Sequence, residues 1–332
     1  MKIAVVILNW NGRNLLEKFL PSIVKYSHNA EVIVADNASD DDSVSWLKET
    51  YPEVRIIQNK SNGGYARGYN EALQNVDADV LALVNSDIEV SENWLDSIEN
   101  LFQKDENTAV IQPKILDYKD KSKFEFAGAG GGFIDKLGYP YCRGRVFTKI
   151  EEDLGQFDNE SEIFWASGAC FFIKKDVFNE LGGFDEDYFA HMEEIDLCWR
   201  VHNMGKKVMY SPKSIVYHVG GATLKESNPH KSYLNFRNSL YTVLKNAPKK
   251  SVVFLILARL ILDAVAGVKF LLEGIPLHTW AIVKSHFSFY RNLPKMIKKR
   301  RDTNNSSNKY YIHKSVVFQF YILGRKYFTN LK

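Results

Sequence analysis

The sequence predicts an α/β fold built on a doubly wound, mostly parallel sheet, and two features of its first hundred residues carry that expectation. Short apolar runs alternate with segments of helical periodicity, and the residues just beyond each run are rich in Asn and Asp. A third feature, the apolar and basic composition beyond about residue 245, predicts a separate helical extension. The 332 residues are 45% hydrophobic and 25% charged, which suits one full domain plus an appendage and excludes wholesale disorder. We place the domain at 1–245 and the extension at 246–332.

Ile3–Leu8 is a continuous apolar run, the pattern of a strand buried on both faces. With only Lys2 before it and polar residues after it, the run is too short for a signal peptide. Leu15, Leu16, Phe19, Leu20, Ile23 and Val24 then recur at helical spacing, opposite Arg13, Glu17 and Lys18. A strand over Glu31–Ala35 leads to a helix from about Asp41 to Glu49, which Ser39 is placed to cap. The alternation continues with a strand Arg55–Gln58, a helix near Tyr65–Leu73 and a strand Val80–Val84. Helical crossovers between four such strands imply parallel pairing, and ligands of these sheets bind beyond the strands' carboxyl ends. Here those ends carry Asn9-Trp10-Asn11, Asp36-Asn37, Asn59–Asn62 and Asn85-Ser86-Asp87.

The middle of the chain is less regular. Gly128, Gly130, Gly131 and Gly132 suggest a mobile loop, followed by a strand Ala169–Ile173 and a turn at Gly182-Gly183-Phe184-Asp185. Glu193, Glu194 and Asp196 open a helix that runs to about Asn203, and strands Val208–Tyr210 and Ile215–Tyr217 end at His218-Val219-Gly220-Gly221. Cys142, Cys170 and Cys198 are too few and too widely spaced for a disulfide framework or a zinc site, which points to a reducing, cytosolic setting.

Charge is polarised along the chain. Lys245–Lys332 holds 17 Lys and Arg against three acids, whereas 1–244 holds 26 against 37. Such a tail is expected to meet an anionic surface. Val252–Leu272 is nearly all apolar, but Arg259, Asp263 and Lys269 interrupt it and fall within roughly a third of the helical circle. That suits a helix lying in a membrane interface better than one crossing a bilayer, the alternative being a helix buried in the body. From Trp280 to Arg301, aromatic residues mix with Lys295, Lys298, Lys299, Arg300 and Arg301, as in segments that touch anionic lipid. Nucleic acid is the other anionic partner, but no RNA-binding module accompanies the tail, so none is expected.

Two phosphate-binding devices are absent: a Gly-x-x-x-x-Gly-Lys-Ser/Thr loop, and a Gly-x-Gly-x-x-Gly after the first strand. A carboxylate-held Mg²⁺ or Mn²⁺ is the alternative, and Asp87 stands past the fourth strand where it would hold one, unless it merely caps the next helix. Asp36 can accept from a base N–H or form an Asx turn. Asn62, Gly64, Arg67 and Asn70 set small residues and an Arg at a helix start suited to a diphosphate. Burial beside a substrate would raise the pKa of Glu193 or Glu194, whereas exposed acids there would only complement the helix dipole. His218 is a candidate third ligand or a structural histidine.

In this order the motifs resemble family 2 glycosyltransferases of the GT-A fold, particularly the bacterial rhamnosyltransferase-like branch, over about residues 3–240. The resemblance implies an inverting transferase that takes a sugar from a nucleoside diphosphate. Asn85-Ser86-Asp87 resembles the family's Asp-x-Asp motif, with Asp87 binding the divalent cation. Asp36 would recognise the base, with Asn9 and Asn11 lining the nucleoside pocket. Glu194 stands at the position of the catalytic base, with Glu193 beside it as the other candidate, and His218 matches a metal or diphosphate ligand. Trp165, Gly168 and Asp196 fall on the acceptor side. The branch implies dTDP-rhamnose as donor, with a UDP-sugar possible, and a lipid-linked saccharide acceptor in surface-polysaccharide synthesis at the inner face of the plasma membrane. Two other classes compete: a sugar nucleotidyltransferase, and a non-catalytic scaffold that binds nucleotide-sugar or membrane.

Overall fold

The computed structural model describes residues 1–220, 228–300 and 310–332. Gly221 and Arg301, both named above, lie outside the described residues. In chain order the elements begin β1 (Ile3–Asn9), α1 (Arg13–Tyr26), β2 (Ala30–Asp36), α2 (Ser43–Thr50), β3 (Arg55–Gln58), α3 (Gly64–Leu73), β4 (Val80–Asn85) and β5 (Ile88–Val90). They continue with α4 (Asp96–Lys104), β6 (Thr108–Asp117), β7 (Gly132–Ile134), β8 (Pro140–Cys142), β9 (Arg145–Val146), β10 (Lys149–Ile150), β11 (Ser161–Ile163) and β12 (Cys170–Lys174). The rest are α5 (Lys175–Leu181), α6 (Glu193–Asn203), β13 (Lys207–His218), α7 (Pro229–Asn246), α8 (Val252–Leu272), α9 (Pro276–Lys299) and α10 (Val316–Tyr321).

The central sheet is ordered β11-β13-β6-β12-β4-β1-β2-β3, with β5 paired to β13. β3, β2, β1 and β4 are parallel, as the alternating pattern predicts. β12 joins β4 antiparallel and β6 joins β12 antiparallel, so β6 and its parallel neighbour β13 run with the first four strands. The continuous apolar run of β1 follows from burial on both faces. Ala4 and Val6 pack with Tyr69 and Phe171 on one side, and Val5 and Ile7 with Leu20 and Trp94 on the other. β7 to β10 form a small separate antiparallel sheet.

Several local expectations are corrected. Ser39 does not cap α2; its hydroxyl donates to Asp36 at 2.6 Å, and Asp41 instead accepts from the Ser43 amide. The glycine cluster is not a mobile loop but a buried crossing. A Cβ at Gly132 would lie 2.1 Å from the Trp165 ring, and one at Gly128 would lie 2.3 Å from the Ser167 Cβ. The two strands predicted over 208–217 are one, β13, whose register against β6 shifts between Ser211 and Ile215. In the basic run, Lys295 and Lys299 are committed to Asp187, and Phe289 and Met296 are buried.

The expected boundary at 245/246 falls in the last turn of α7, where the helices are welded to the body. Lys245 Nζ lies 2.6 Å from Asp185 and 2.8 Å from Asp196, and all three side chains are buried. Arg200 Nε donates to Asp196 at 2.9 Å, and Asn246 donates to it at 2.7 Å. The cations and hydrogen bonds outweigh burial and hold the Asp196 carboxyl well below its usual range.

Among the described residues no helix is long and apolar enough to cross a membrane. α8 turns its polar residues inward. Arg259 is buried and donates to the Gly138 carbonyl at 3.2 Å, and buried Asp263 lies 3.1 Å from His286 of α9. The Gly267 carbonyl accepts from Thr279 at 2.8 Å.

Lys245→Met should lower stability by about 3–5 kcal/mol, because it leaves Asp185 and Asp196 buried with too little positive charge. Denaturant unfolding with an unchanged slope is the measurement that checks it.

Candidate active site

The carboxyl ends of the parallel strands set the candidate residues side by side. Register pairs Asn9 with Asp36 across β1 and β2, and Leu8 with Asn85 across β1 and β4. Asn9 Nδ2 donates to Asp36 Oδ1 and to Ser39 Oγ, each at 3.3 Å. The Asn11 amide donates to Ser39 Oγ at 2.9 Å, while Asn11 Oδ1 accepts from the Asp40 amide at 2.7 Å. Asn11 and Ala38 adopt positive φ, which folds both loops back over the strand ends. The Asn9 Oδ1 atom is buried without a hydrogen-bond partner, an acceptor still free for a ligand. Gly12 is needed beside it, since a Cβ there would come within 2.3 Å of that oxygen and 3.6 Å of Ser86 Oγ.

Past β4, Asp87 faces His218 at the end of β13. Asp87 Oδ1 lies 3.1 Å from His218 Nε2, and both side chains are buried. The ring's other nitrogen lies 3.2 Å from Glu125, whose second oxygen accepts from the Ala127 amide. Burial by itself pulls the His218 pKa down, but the two carboxylates outweigh it and raise it to about 10. Glu125 was not singled out from the sequence. It sits in an irregular loop without a motif, and only the fold brings it to His218.

The carboxylates of α6 reach the same edge from the far side. The Asn85 amide donates to the Ala169 carbonyl, and the neighbouring Gly168 carbonyl accepts from the Tyr65 hydroxyl at 2.7 Å. A Cβ on Gly168 would lie 3.8 Å from the Glu194 carboxyl carbon. One oxygen each of Glu193 and Glu194 is buried without a partner. Burial raises the Glu194 pKa to about 7, and burial together with the adjacent Glu194 also raises that of Glu193 well above the ordinary carboxylate range.

The turn that aims these acids is strained and clamped. Phe189, His191 and Met192 all have positive φ. Asn238 of α7 donates through one amide nitrogen to the carbonyls of Tyr188, Ala190 and His191, at 3.1, 2.9 and 2.7 Å. Gly64, itself at positive φ, lies against this turn; a Cβ there would sit 2.5 Å from the Phe189 carbonyl. Asn62 is part of the same support, its side chain accepting from Asn37 and from the Gly64 amide, each at 2.9 Å.

Other candidates are placed elsewhere. Asp196 points into the buried ion-pair cluster, and Trp165 is a core residue whose indole donates to the Phe133 carbonyl at 2.9 Å. Asn70 bridges α3 to Phe184, and the Arg67 guanidinium is paired with Glu71 at 2.6 Å. Asp196, Trp165 and Asn70 serve the scaffold, whereas Arg67 lies at the surface against Gly63 in the loop after β3.

The residues at the strand ends fit a divalent cation. Asp87 offers a hard oxygen, and His218, which holds both ring protons between the two carboxylates, would add Nε2 only by giving one up to the ion; Mg²⁺ or Mn²⁺ commonly takes one or two protein ligands plus substrate phosphate oxygens. No group of three or more His, Cys, Asp or Glu among the described residues forms a self-sufficient cage.

Fold and site define a glycosyltransferase of the GT-A kind, acting on nucleotide sugars. The chain belongs to glycosyl transferase family 2, whose model matches residues 4–182. It is 27% identical over 231 residues to the N-acetylglucosaminyl-diphospho-decaprenol L-rhamnosyltransferase of Mycobacterium tuberculosis, covering 64% of this chain and 75% of that protein. It is 22% identical to the low-salt glycan biosynthesis hexosyltransferase Agl10 of Haloferax volcanii, covering 71% of this chain and 73% of that protein. Among solved structures it resembles GalNAc-T7 with UDP, GalNAc and Mn²⁺, at a TM-score of 0.58 and 17% identity, covering 74% of this chain and about half (48%) of that one. The mannosyltransferase PcManGT of Pyrobaculum calidifontis, with GDP-Man and Mn²⁺, has a TM-score of 0.52 and 15% identity, covering 92% of this chain and 85% of that one.

Asn238→Ala should release the clamp on the turn before Glu193, removing the side-chain donor of the Ala190 and His191 carbonyls while Tyr188 keeps Arg237. The expected outcome is a fall in melting temperature of several degrees and a loss of turnover larger than the loss of nucleotide affinity, read by calorimetry beside steady-state kinetics.

Proposed function

We propose that this chain is an inverting, metal-dependent transferase that moves a sugar from a nucleoside diphosphate onto a lipid-linked saccharide in cell-surface polysaccharide synthesis. dTDP-rhamnose is the favoured donor and a UDP-sugar the second. The observation that carries the reading is half-buried Glu194, one oxygen of which is buried without a partner, beside Gly168 on the same sheet edge as the Asp87–His218 pair. Similarity to a rhamnosyltransferase named for a diphospho-decaprenol acceptor supports sugar transfer to a lipid-linked acceptor. Work at the inner face of the plasma membrane fits that acceptor and the basic, apolar extension of residues 246–332. No nucleic-acid partner is proposed.

Asp36, held by Ser39 and Asn9, would accept from the base, and Asn9 and Asn11 would line the nucleoside pocket. Asp87 and His218 would hold the divalent ion, which when bound neutralises charge on the departing diphosphate. Glu125 faces the ring nitrogen turned away from Asp87, and so fixes which nitrogen His218 presents. Glu194 would take the proton from the acceptor hydroxyl as that oxygen attacks the anomeric carbon opposite the diphosphate. Glu193 beside it is the second candidate for that role, since burial raises the pKa of both.

Glu194→Gln should keep nucleotide affinity and lose ~10²–10⁴ in transfer rate, measured with donor and acceptor at saturation. Asp87→Ala should weaken nucleotide binding in Mn²⁺ and leave the metal-free affinity unchanged, which titration calorimetry reads directly. Transfer should rise with pH through about 7 as Glu194 loses its proton. Stability should move the opposite way. The folded chain holds this proton to higher pH than the unfolded one, so the contribution present below about 4.5 is lost as pH climbs towards 7. Melting curves beside a pH–rate profile separate the two trends. For the donor, a thermal-shift series of dTDP, UDP and GDP with Mn²⁺ should show its largest rise for dTDP.

A further inference from the structure

α8 is an inside-out helix for a surface element. Its buried side carries two charged residues, Arg259 and Asp263, beside Val252, Leu255 and Gly267. Its outward side is a stripe of Phe254, Leu257, Ile261, Val265, Val268 and Leu272, each between 56% and 84% exposed. These residues recur at intervals of three and four along one face for the helix's 21 residues, or roughly 30 Å. The apolar surface continues round the turn into α9 through Ile275, Leu277 and Trp280. Nothing among the described residues covers it, and a patch of this length is larger than isolated surface leucines explain.

The charge around the stripe selects its occupant. Between residues 228 and 300 the only acids are Asp263, which is buried, and Glu273, which is paired with Lys269 at 2.6 Å. Exposed Lys249, Lys250, Lys284, Arg291 and Lys298 have no ion pair among the described residues. Lys295 and Lys299, by contrast, are committed to Asp187. A protein partner would meet an apolar strip with an almost wholly cationic border. A bilayer offers acyl chains for the strip and anionic headgroups for the border, with Trp280 at the depth where indole rings collect. Beside Trp280 a groove of about 270 Å³ opens between α7 and α9, lined by His230, Tyr233 and Lys284 among others, wide enough for a headgroup.

We propose that the outward face of α8 inserts in the plane of an anionic bilayer, so that apolar burial rather than the basic run supplies most of the membrane affinity. This rests on the reading of the chain as a transferase of lipid-linked acceptors, and it adds which surface meets the lipid and by what force. Arg259, Asp263 and Thr279 then have a clear task. Arg259 ties the buried side of the helix to the body, and Asp263 and Thr279 tie it to α9, so that the apolar side stays outward.

The test is flotation of the full chain with vesicles of phosphatidylcholine alone and of phosphatidylcholine with phosphatidylglycerol. The intact chain should float with both, more strongly with the anionic mixture, and binding to neutral vesicles should survive 0.5 M salt. Leu257→Asp with Ile261→Asp should cut the partition coefficient at least tenfold on both kinds of vesicle. Because both positions are exposed, its melting temperature and its transfer to a water-soluble acceptor should match the parent. Lys249→Glu with Lys250→Glu should weaken binding to the anionic vesicles alone. Binding only to anionic vesicles and lost in salt would overturn the proposal in favour of the basic run. A concentration-dependent dimer in light scattering, abolished by the aspartate pair and without flotation, would overturn it in favour of a second copy. A chain that floats as expected but transfers no sugar would refute the enzymatic reading and leave this surface standing.

Discussion

One buried ionic cluster holds the two ends of this molecule together. Asp196 in the first turn of α6 is shared by Lys245 and Asn246 from α7 and by Arg200 from its own helix, and Lys245 also reaches Asp185. Placing three or four charges out of water is costly unless each is met, so the cluster tolerates little movement of α6 against α7. That rigidity is used twice. It fixes the helix start that presents Glu193 and Glu194, and it anchors the helical extension on which α8 lies.

The site is then assembled from two supports that meet. Parallel pairing of β2, β1 and β4 sets Asp36, Asn9 and Asn85 at matching heights without any help from loops. From the opposite side, the left-handed turn at Phe189–Met192 is clamped by Asn238 and pressed against Gly64, which brings α6 to the end of α3. Strain of this kind persists only where surrounding bonds over-determine it, and here the surrounding bonds come from α7. α7, which leads into the extension, is therefore part of the support for the acids of α6.

Burial divides the acids by task. Asp196 is buried among cations and stays ionised, while Glu193 and Glu194, only three and two residues away, lack such cations and keep their protons to higher pH. A motif read as one acidic patch is thus two devices on opposite sides of one helical turn. The Gly182–Glu186 segment divides in the same way. Gly182 ends α5 at positive φ, whereas Asp185 serves the cluster.

The sequence alone determined the parallel half of the sheet, the identity of the strand ends and the candidates Asp36, Asp87, Glu194 and His218. Each of these follows from local periodicity or from a short motif, and such signals survive in a linear string. The antiparallel insertion of β12 and β6, the burial of the glycine cluster against Trp165, the role of Glu125 beside His218 and the pairing of Lys295 and Lys299 were decided by the fold. Each of those depends on residues distant in the chain meeting in space. The same division explains α8. Its wheel revealed that polar and apolar residues occupy different sides, but which side faces the body depended on Asp263 finding His286 and Arg259 finding Gly138, and hydrophobicity alone would have turned it the other way.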